Sequence, residues 1–359
     1  MITTIKVGSG VLDNNGKIND AVFETVAEEI AQRIRKNEKF IIVSSGALLM
    51  GLMKLGLARA PREIKKRQAI CAIGQPTLMK KWDEAFSKHN IKVSQILITH
   101  EDIGVPKRAK NIEDTISEIF KIGAIPIINE NDTVSTEEIR FGDNDFLSAY
   151  ISALVGAKRL IIITDIDGVI DKHGNIIKEI HTDEIEQIWE RISQKKTKKK
   201  VSSGGIISKL TSSKIASEFG IECYIINGRK LDSIKSAIKG ENPGTKIFGN
   251  KIYSRKELWI LRVMRGKGKI FVDKGAYDAL RKGKSLLPAG IVDVKGHFSA
   301  GDLVEVYYEN KLVGKGISNY FSSEVNLIKN RKTHEIENIL GYKRFDEIIH
   351  RDNFVEQDR

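Results

Sequence analysis

Two short stretches concentrate groups able to grip a small polar molecule: Ile127-Ile128-Asn129-Glu130-Asn131-Asp132 and, shortly after it, Gly142-Asp143-Asn144-Asp145. Asn and Asp are short and stiff, and they gain little by packing. Held together, such runs can bind an amino group, a carboxylate or a hydrated metal. Turns use the same residues, so residue type alone leaves a pair of turns open. Two other stretches suit phosphate. Gly8-Ser9-Gly10 follows a β-prone run ending in Lys6-Val7, where a glycine loop lets backbone N–H groups come close to an anion. Ser203-Gly204-Gly205-Ile206-Ile207-Ser208-Lys209 places a glycine pair ahead of a helical pattern, with Lys209 one turn inside. Gly8 and Gly10 begin a dinucleotide fingerprint that Asp13 interrupts where its third glycine belongs, so an ordinary turn stays open there.

Together these pieces suit phosphoryl transfer, which needs two substrates in line and cations or N–H dipoles around the migrating group. Two lysines, glycine loops and a carboxylate that holds the lysines would suffice. Mg²⁺ would ride on the nucleotide with few protein ligands. The P-loop pattern GxxxxGK[ST] is missing, and His350-Arg351-Asp352 lacks the asparagine and DFG that follow it in a protein kinase. None of the seven histidines lies in these stretches, and His100 and His173 read as surface or loop residues.

The elements that must position these residues follow from periodicity. Met1–Val7, Lys39–Val43, Lys92–Ile98, Ala124–Ile128, Arg159–Thr164 and Ile221–Ile226 read as strands; between them lie helical stretches at Asp20–Lys36, Ala47–Leu57, Glu63–Lys88 and within Ile103–Ile122. Pro76 predicts a kink or break in the third of these. Parallel α/β sheets bind ligands at the carboxyl ends of their strands. That converges Gly8, Ser45-Gly46, Asn129–Asp132 and Thr164-Asp165, although Ser45 and Asp165 could simply cap local structure. Thr133–Phe141 could form a small hairpin over the site, and Ile206-Ile207-Ser208-Lys209, after the glycine pair, open a helix running to about Phe219. After Glu257 come short β-prone pieces (Gly268–Val272, Ile291–Lys295, Leu303–Tyr308, Lys311–Ile317), which argue for a small barrel or sandwich.

Length and composition set the frame. The chain has 359 residues, 41% hydrophobic and 30% charged, which suits a folded protein of two domains. Net charge of +12 points to anionic partners such as nucleotides, phosphates or RNA. Residues 251–359 carry 21 Lys and Arg against 15 Asp and Glu, a balance of +6. Cys71 and Cys223 sit in apolar settings and give no disulfide framework and no CxxC motif, as expected of a cytoplasmic protein. No apolar run reaches membrane-helix length, and no signal peptide is expected. The lysine-rich run Lys195–Lys200 reads as solvated loop.

The motifs IKVGSGVL, IIVSSGAL, IINENDTV, FGDNDFLSA, TDIDGV and SSGGIISKL resemble, in order and spacing, the amino acid kinase family, with INEND and GDND marking its glutamate 5-kinase branch. KIFVDKGAYDAL, GKSLLPAGIVDVKGHFSAGDLVEV and HEIENILGY resemble a PUA domain, a module that elsewhere binds RNA. The resemblance implies an α/β three-layer sandwich with a mainly parallel sheet at 1–250, a small mostly β PUA domain at 258–345 and a tail at 346–359. It implies Lys6 and Lys209 on the transferring phosphate with Asp145 orienting them; glutamate on Ser45, Asp132 and Asn144, with Gly46 and Asn129 nearby; and ATP on Lys6, Gly8, Thr164-Asp165 and Ser203–Lys209. The implied reaction joins ATP and L-glutamate into γ-glutamyl phosphate with Mg²⁺, the first step of proline synthesis, commonly inhibited by proline. A homo-oligomer and RNA binding by the PUA-like part are further expectations. One departure is Ser202-Ser203 and Ile206, where relatives often carry Gly-Thr-Gly-Gly-Met. Rival expectations are another acceptor (aspartate, acetylglutamate or a nucleoside monophosphate) and an RNA-binding protein whose first domain is inactive. Asp143 carries no assigned role.

Overall fold

The computed structural model describes residues 1–135, 143–171, 173–194, 203–251, 254–264 and 266–357. The chain divides into two compact units, Met1–Ile252 and Tyr253–Arg359.

The first unit is built on a sheet that has eight strands among the described residues: β1 (Ile2–Val7), β2 (Lys39–Ser44), β3 (Val93–Ile98), β4 (Ile125–Glu130), β5 (Arg159–Thr164), β6 (Glu179–Ile180), β7 (Glu222–Asn227) and β8 (Thr245–Ile247). They lie in the order β3-β4-β2-β1-β5-β7-β8-β6. Every pairing is parallel except β7 with β8. The central strands are buried along nearly their whole length because helices cover both faces. One face carries the helices α1 (Asp20–Ile34), α2 (Ala47–Lys54), α3 (Ile64–Ser87) and α8 (Leu231–Lys239); the other carries α4 (Pro106–Ile122), α5 (Asp143–Val155) and α7 (Ser203–Glu218), while α6 (Ile185–Gln194) packs on α7. Alternation along β1 sends Ile5 and Val7 into the core under α1 to α3. Lys6, one residue out of phase, must therefore face the α5 and α7 side.

The core on the α1–α3 side closes around Trp82, fully buried, with Phe23 edge-on at 4.6 Å and its indole N–H donating to Ser44 Oγ at 2.9 Å. α2 and α3 cross where both present glycine. A Cβ built on Gly74 would lie 1.9 Å from the Ala47 carbonyl oxygen, and one on Gly51 2.0 Å from that of Ile70. The expected kink or break at Pro76 is therefore corrected in part, because α3 runs unbroken from Ile64 to Ser87. Its missing N–H costs one hydrogen bond, and the helix continues through that point with close backbone packing at Gly74, two residues earlier. A second correction concerns α7, which begins at Ser203, so the glycine pair forms its first turn instead of a loop ahead of it. The expected hairpin at Thr133–Phe141 lies largely outside the described residues, as does the basic run Lys195–Lys200.

The second unit holds a mixed sheet of β9 (Gly268–Val272), β10 (Ile291–Gly296), β11 (Leu303–Tyr308), β12 (Lys311–Ile317) and β13 (Phe354–Glu356), in the order β10-β9-β11-β12-β13. The expected barrel or sandwich is thus a single five-stranded sheet among the described residues. The described residues 346–357 do not trail away as a tail. Ile348 and Ile349 are fully buried in the core of this unit, and β13 pairs antiparallel with β12.

The glycine crossing generates the first prediction. Gly74→Ala places its methyl group against backbone that cannot yield cheaply, and should cost roughly 1–3 kcal/mol or more of stability. Urea unfolding measures it, and an unchanged midpoint would show the crossing to be looser than described.

Candidate active site

Strands β1, β2, β4 and β5 end on one edge of the sheet, and the polar residues collect there. Asp145, three residues into α5, has no solvent exposure. Its Oδ1 lies 2.7 Å from Lys6 Nζ and its Oδ2 lies 3.3 Å from Lys209 Nζ. Ser208 Oγ donates to the same Oδ2 at 2.8 Å, and Lys209 Nζ also donates to the Gly205 carbonyl oxygen at 3.2 Å. Burial alone would raise the Asp145 carboxyl, but the charges of Lys6 and Lys209, with hydrogen bonds from Lys6 and Ser208, outweigh it and hold the group below the usual carboxylate range. Burial pulls Lys209 below the usual lysine range despite Asp145, and the Lys6 charge adds to that. Two cations share one anion in a place water scarcely reaches. The cluster carries an excess positive charge that a bound anion would neutralise.

Beside it the loops fit a phosphate chain. The Gly8 N–H donates to the Ile163 carbonyl at 3.0 Å, and a Cβ there would lie 3.2 Å from that oxygen and 3.4 Å from Lys6 Nζ. A side chain at 8 would press on that backbone oxygen. Thr164, nearly buried, donates from Oγ1 to Asp165 Oδ1 at 3.2 Å; Asp165 is exposed, and its charge acts on Lys209. In the first turns of α7, Gly205, Ile206 and Ile207 are half-buried, and Ser203 and Gly204 begin the helix.

On the other flank, Ser45, Asn129 and Asn144 meet. The Asn144 Nδ2 group donates to Ser45 Oγ and to Asn129 Oδ1, both at 2.9 Å. Gly46 supplies the turn after β2 with φ of +122°, a conformation that favours glycine. Asp132 is bonded to the Cys71 thiol, with Arg67 close by; burial raises the Asp132 carboxyl, and the Cys71 hydrogen bond and the Arg67 charge oppose the rise. Burial and the Asp132 charge push the Cys71 thiol up to about 12, which makes it a donor and not a nucleophile.

Reading the sequence missed three contributors, all on α3. Gln75 accepts a hydrogen bond from Asn129 Nδ2 at 2.8 Å, while Cys71 and Arg67 face Asp132. Their spacing of four residues, Arg67-Cys71-Gln75, is the signal that could have found them, since it places all three on one helix face. His100 also departs from its surface reading. It packs edge-on against Tyr150, with ring centroids 6.1 Å apart, and its Nε2 lies 3.8 Å from Glu130 Oε2. Both line a cavity of about 150 Å³ with Thr99, Asp102 and Arg108.

A model described as the amino acid kinase family matches residues 1–227, and one described as the PUA domain matches 268–340. A glutamate 5-kinase of Caldanaerobacter subterraneus subsp. tengcongensis is 41% identical over 370 residues, spanning 100% of this chain and 98% of that protein. A glutamate 5-kinase of Thermus thermophilus is 37% identical over 354 residues, spanning 98% and 96%. Among solved structures, carbamate kinase from Giardia lamblia bound to AMP-PNP aligns with a TM-score of 0.50 at 16% identity, covering 69% of this chain and 98% of that one, a likeness of fold.

The buried triad generates the second prediction. Because the folded carboxyl of Asp145 lies below its unfolded value, its contribution is complete above about pH 4 and is lost as pH falls through the lowered folded value. Asp145→Asn should cost about 3–5 kcal/mol at neutral pH by leaving two lysines without their counter-ion, and should remove that acid-side loss. Urea midpoints taken across pH measure both; equal midpoints for the two proteins would refute the clamp.

Proposed function

The chain belongs to the amino acid kinase family and, within it, to the glutamate 5-kinases, and on that footing we propose that it transfers the γ-phosphoryl group of ATP to the γ-carboxylate of L-glutamate. The products are γ-glutamyl phosphate and ADP, the first step of proline synthesis. The observation that carries the reading is the pair Lys6 and Lys209 locked on Asp145 at the sheet edge.

The γ-carboxylate of glutamate is ionised at neutral pH, so its oxygen attacks the γ-phosphorus without a general base. The bond to the β-phosphate bridging oxygen breaks as the new P–O bond forms, and ADP leaves. Lys6 and Lys209 lie on the transferred group and offset its charge; Asp145 keeps both aimed and gives up no proton. Asp132 takes the substrate ammonium, while Ser45 and Asn144, with Asn129 and the turn at Gly46 behind them, take the rest of the amino acid. The nucleotide lies along Gly8, Thr164-Asp165 and the first turn of α7, Ser203 to Lys209. Mg²⁺ would be carried by the nucleotide, since both oxygens of Asp145 are engaged by lysines. When bound, the ion supplies charge neutralisation on the phosphate oxygens.

For the second unit the reading is RNA. Phe271 and Tyr307 stack at 5.6 Å, with Lys295 lying over the first ring at 5.0 Å and Lys269 over the second at 5.1 Å, a set of π faces and cations suited to bases and phosphates. The same reading includes proline as feedback inhibitor, a homo-oligomer and a cytoplasmic setting; no helix of the described residues is long and apolar enough to cross a membrane.

Purified protein with ATP, Mg²⁺ and glutamate should form an acyl phosphate that hydroxylamine traps as the hydroxamate. Lys209→Ala should lower turnover by about 10²–10³ while leaving the glutamate KM within a few-fold. A folded protein that acts on aspartate, acetylglutamate or a nucleoside monophosphate but not on glutamate would overturn the acceptor. For the second unit, filter binding of single-stranded RNA should show affinity that falls with salt and is lost in Lys269→Ala/Lys295→Ala; no binding at low salt would dismiss that reading.

A further inference from the structure

The amide groups beside the triad form a relay with one direction. Gln75 Oε1 accepts from Asn129 Nδ2 at 2.8 Å, which turns Asn129 Oδ1 toward Asn144 Nδ2 at 2.9 Å; Asn144 Nδ2 in turn donates to Ser45 Oγ at 2.9 Å. With Nδ2 engaged twice, Asn144 Oδ1 is the group left over. It is buried and has no protein partner among the described residues, and the same holds for Gln75 Nε2. Ser45 accepts through its oxygen, so its hydroxyl proton remains to be given. The relay thus holds in reserve an acceptor on Asn144 and donors on Ser45 and Gln75. That is the complement of a molecule bearing an ammonium and a carboxylate group. Buried polar atoms without partners are costly, and a ligand that supplies them gains accordingly.

Asn129 has only 2% exposure on β4, so its amide is held by its neighbours, and Gln75 engages one end of it. Gln75 can serve because α3 runs unbroken past the glycine crossing, which seats Gly74 on Ala47 and Gly51 and so fixes the adjacent residue. One turn earlier on the same face, Cys71 is bonded to Asp132. The helix therefore touches the acceptor flank at two places.

We propose that Gln75 is a positioning residue that holds the Asn129 amide, and through it the Asn129–Asn144–Ser45 relay, in place and thereby selects the acceptor amino acid. The proposal rests on the glutamate kinase reading. Gln75→Met keeps the length of the side chain and removes its polarity; Gln75→Glu keeps an acceptor facing Asn129. In the full-length protein, Gln75→Met should raise the glutamate KM by about 10–100-fold and narrow the preference for glutamate over aspartate, with the ATP KM and the melting temperature close to wild type. Gln75→Glu should recover most of the loss in glutamate KM. A glutamate KM within about twofold of wild type in Gln75→Met, or a rise in both KM values together with lowered melting, would overturn the role. Wild-type protein assayed alongside separates the two readings: if it forms no hydroxamate from glutamate, the function falls and the inference with it, whereas an active wild type with an unaffected Gln75→Met sinks the inference alone.

Discussion

A single carboxylate with two lysines on it is the constraint the first unit is built to satisfy. A charge as deeply buried as Asp145 is tolerable only when it is paired and hydrogen-bonded. Its two oxygens are taken by Lys6 from β1 and by Ser208 and Lys209 from α7, so the strand, α5 and α7 are bound at one point. The alternation of β1 follows from this: were the register to slip by one residue, Lys6 would enter the core under α1 to α3, and Ile5 or Val7 would face the carboxylate. The sheet and the charge cluster enforce the same register.

The two flanks of the cluster use different physics. On the Gly8 side the protein presents glycine and the start of α7, and a Cβ at 8 would lie 3.2 Å from the Ile163 carbonyl oxygen. On the Asn129 side it presents side-chain amides and hydroxyls held by hydrogen bonds. Backbone amides suit a phosphate chain common to many substrates, and oriented amides suit discrimination between similar small molecules. The chemistry sits where the two meet.

Much of this was legible in the sequence because the strands are mostly apolar and several give way to small polar residues at their carboxyl ends. Lys6, Ser45, Asn129 and Thr164 could be placed at strand ends from that pattern alone. The joint role of Lys6, Asp145 and Lys209 was not so legible, since nothing in periodicity brings residues so far apart together; it came from resemblance to a family. Gln75 escaped notice because a polar residue on a long helix reads as solvated surface until the strand opposite it is known, and Cys71 because an apolar setting hides a thiol's use as a donor. Pro76 misled for a related reason: local propensity predicts a break, and the packing of Gly51 and Gly74 overrides it. The residues at 346–359 read as a tail because β13 is only three residues long, too short to announce itself by alternation.

The three charged members of the cluster lie near the start, the middle and the end of the first unit's chain, at 6, 145 and 209. During synthesis from the N-terminus, β1 can pair with β2 and β5 and cover Lys6 with α5 before α7 exists. Until α7 arrives, Asp145 has one cation and an open side, and the helix that should cover it leaves apolar surface bare. Such long-range closure is slow to form and leaves chains prone to stick to one another in the meantime. The cluster is complete only once α7 has emerged and docked, and β7, α8 and β8, which follow it in the chain, must still join the unit.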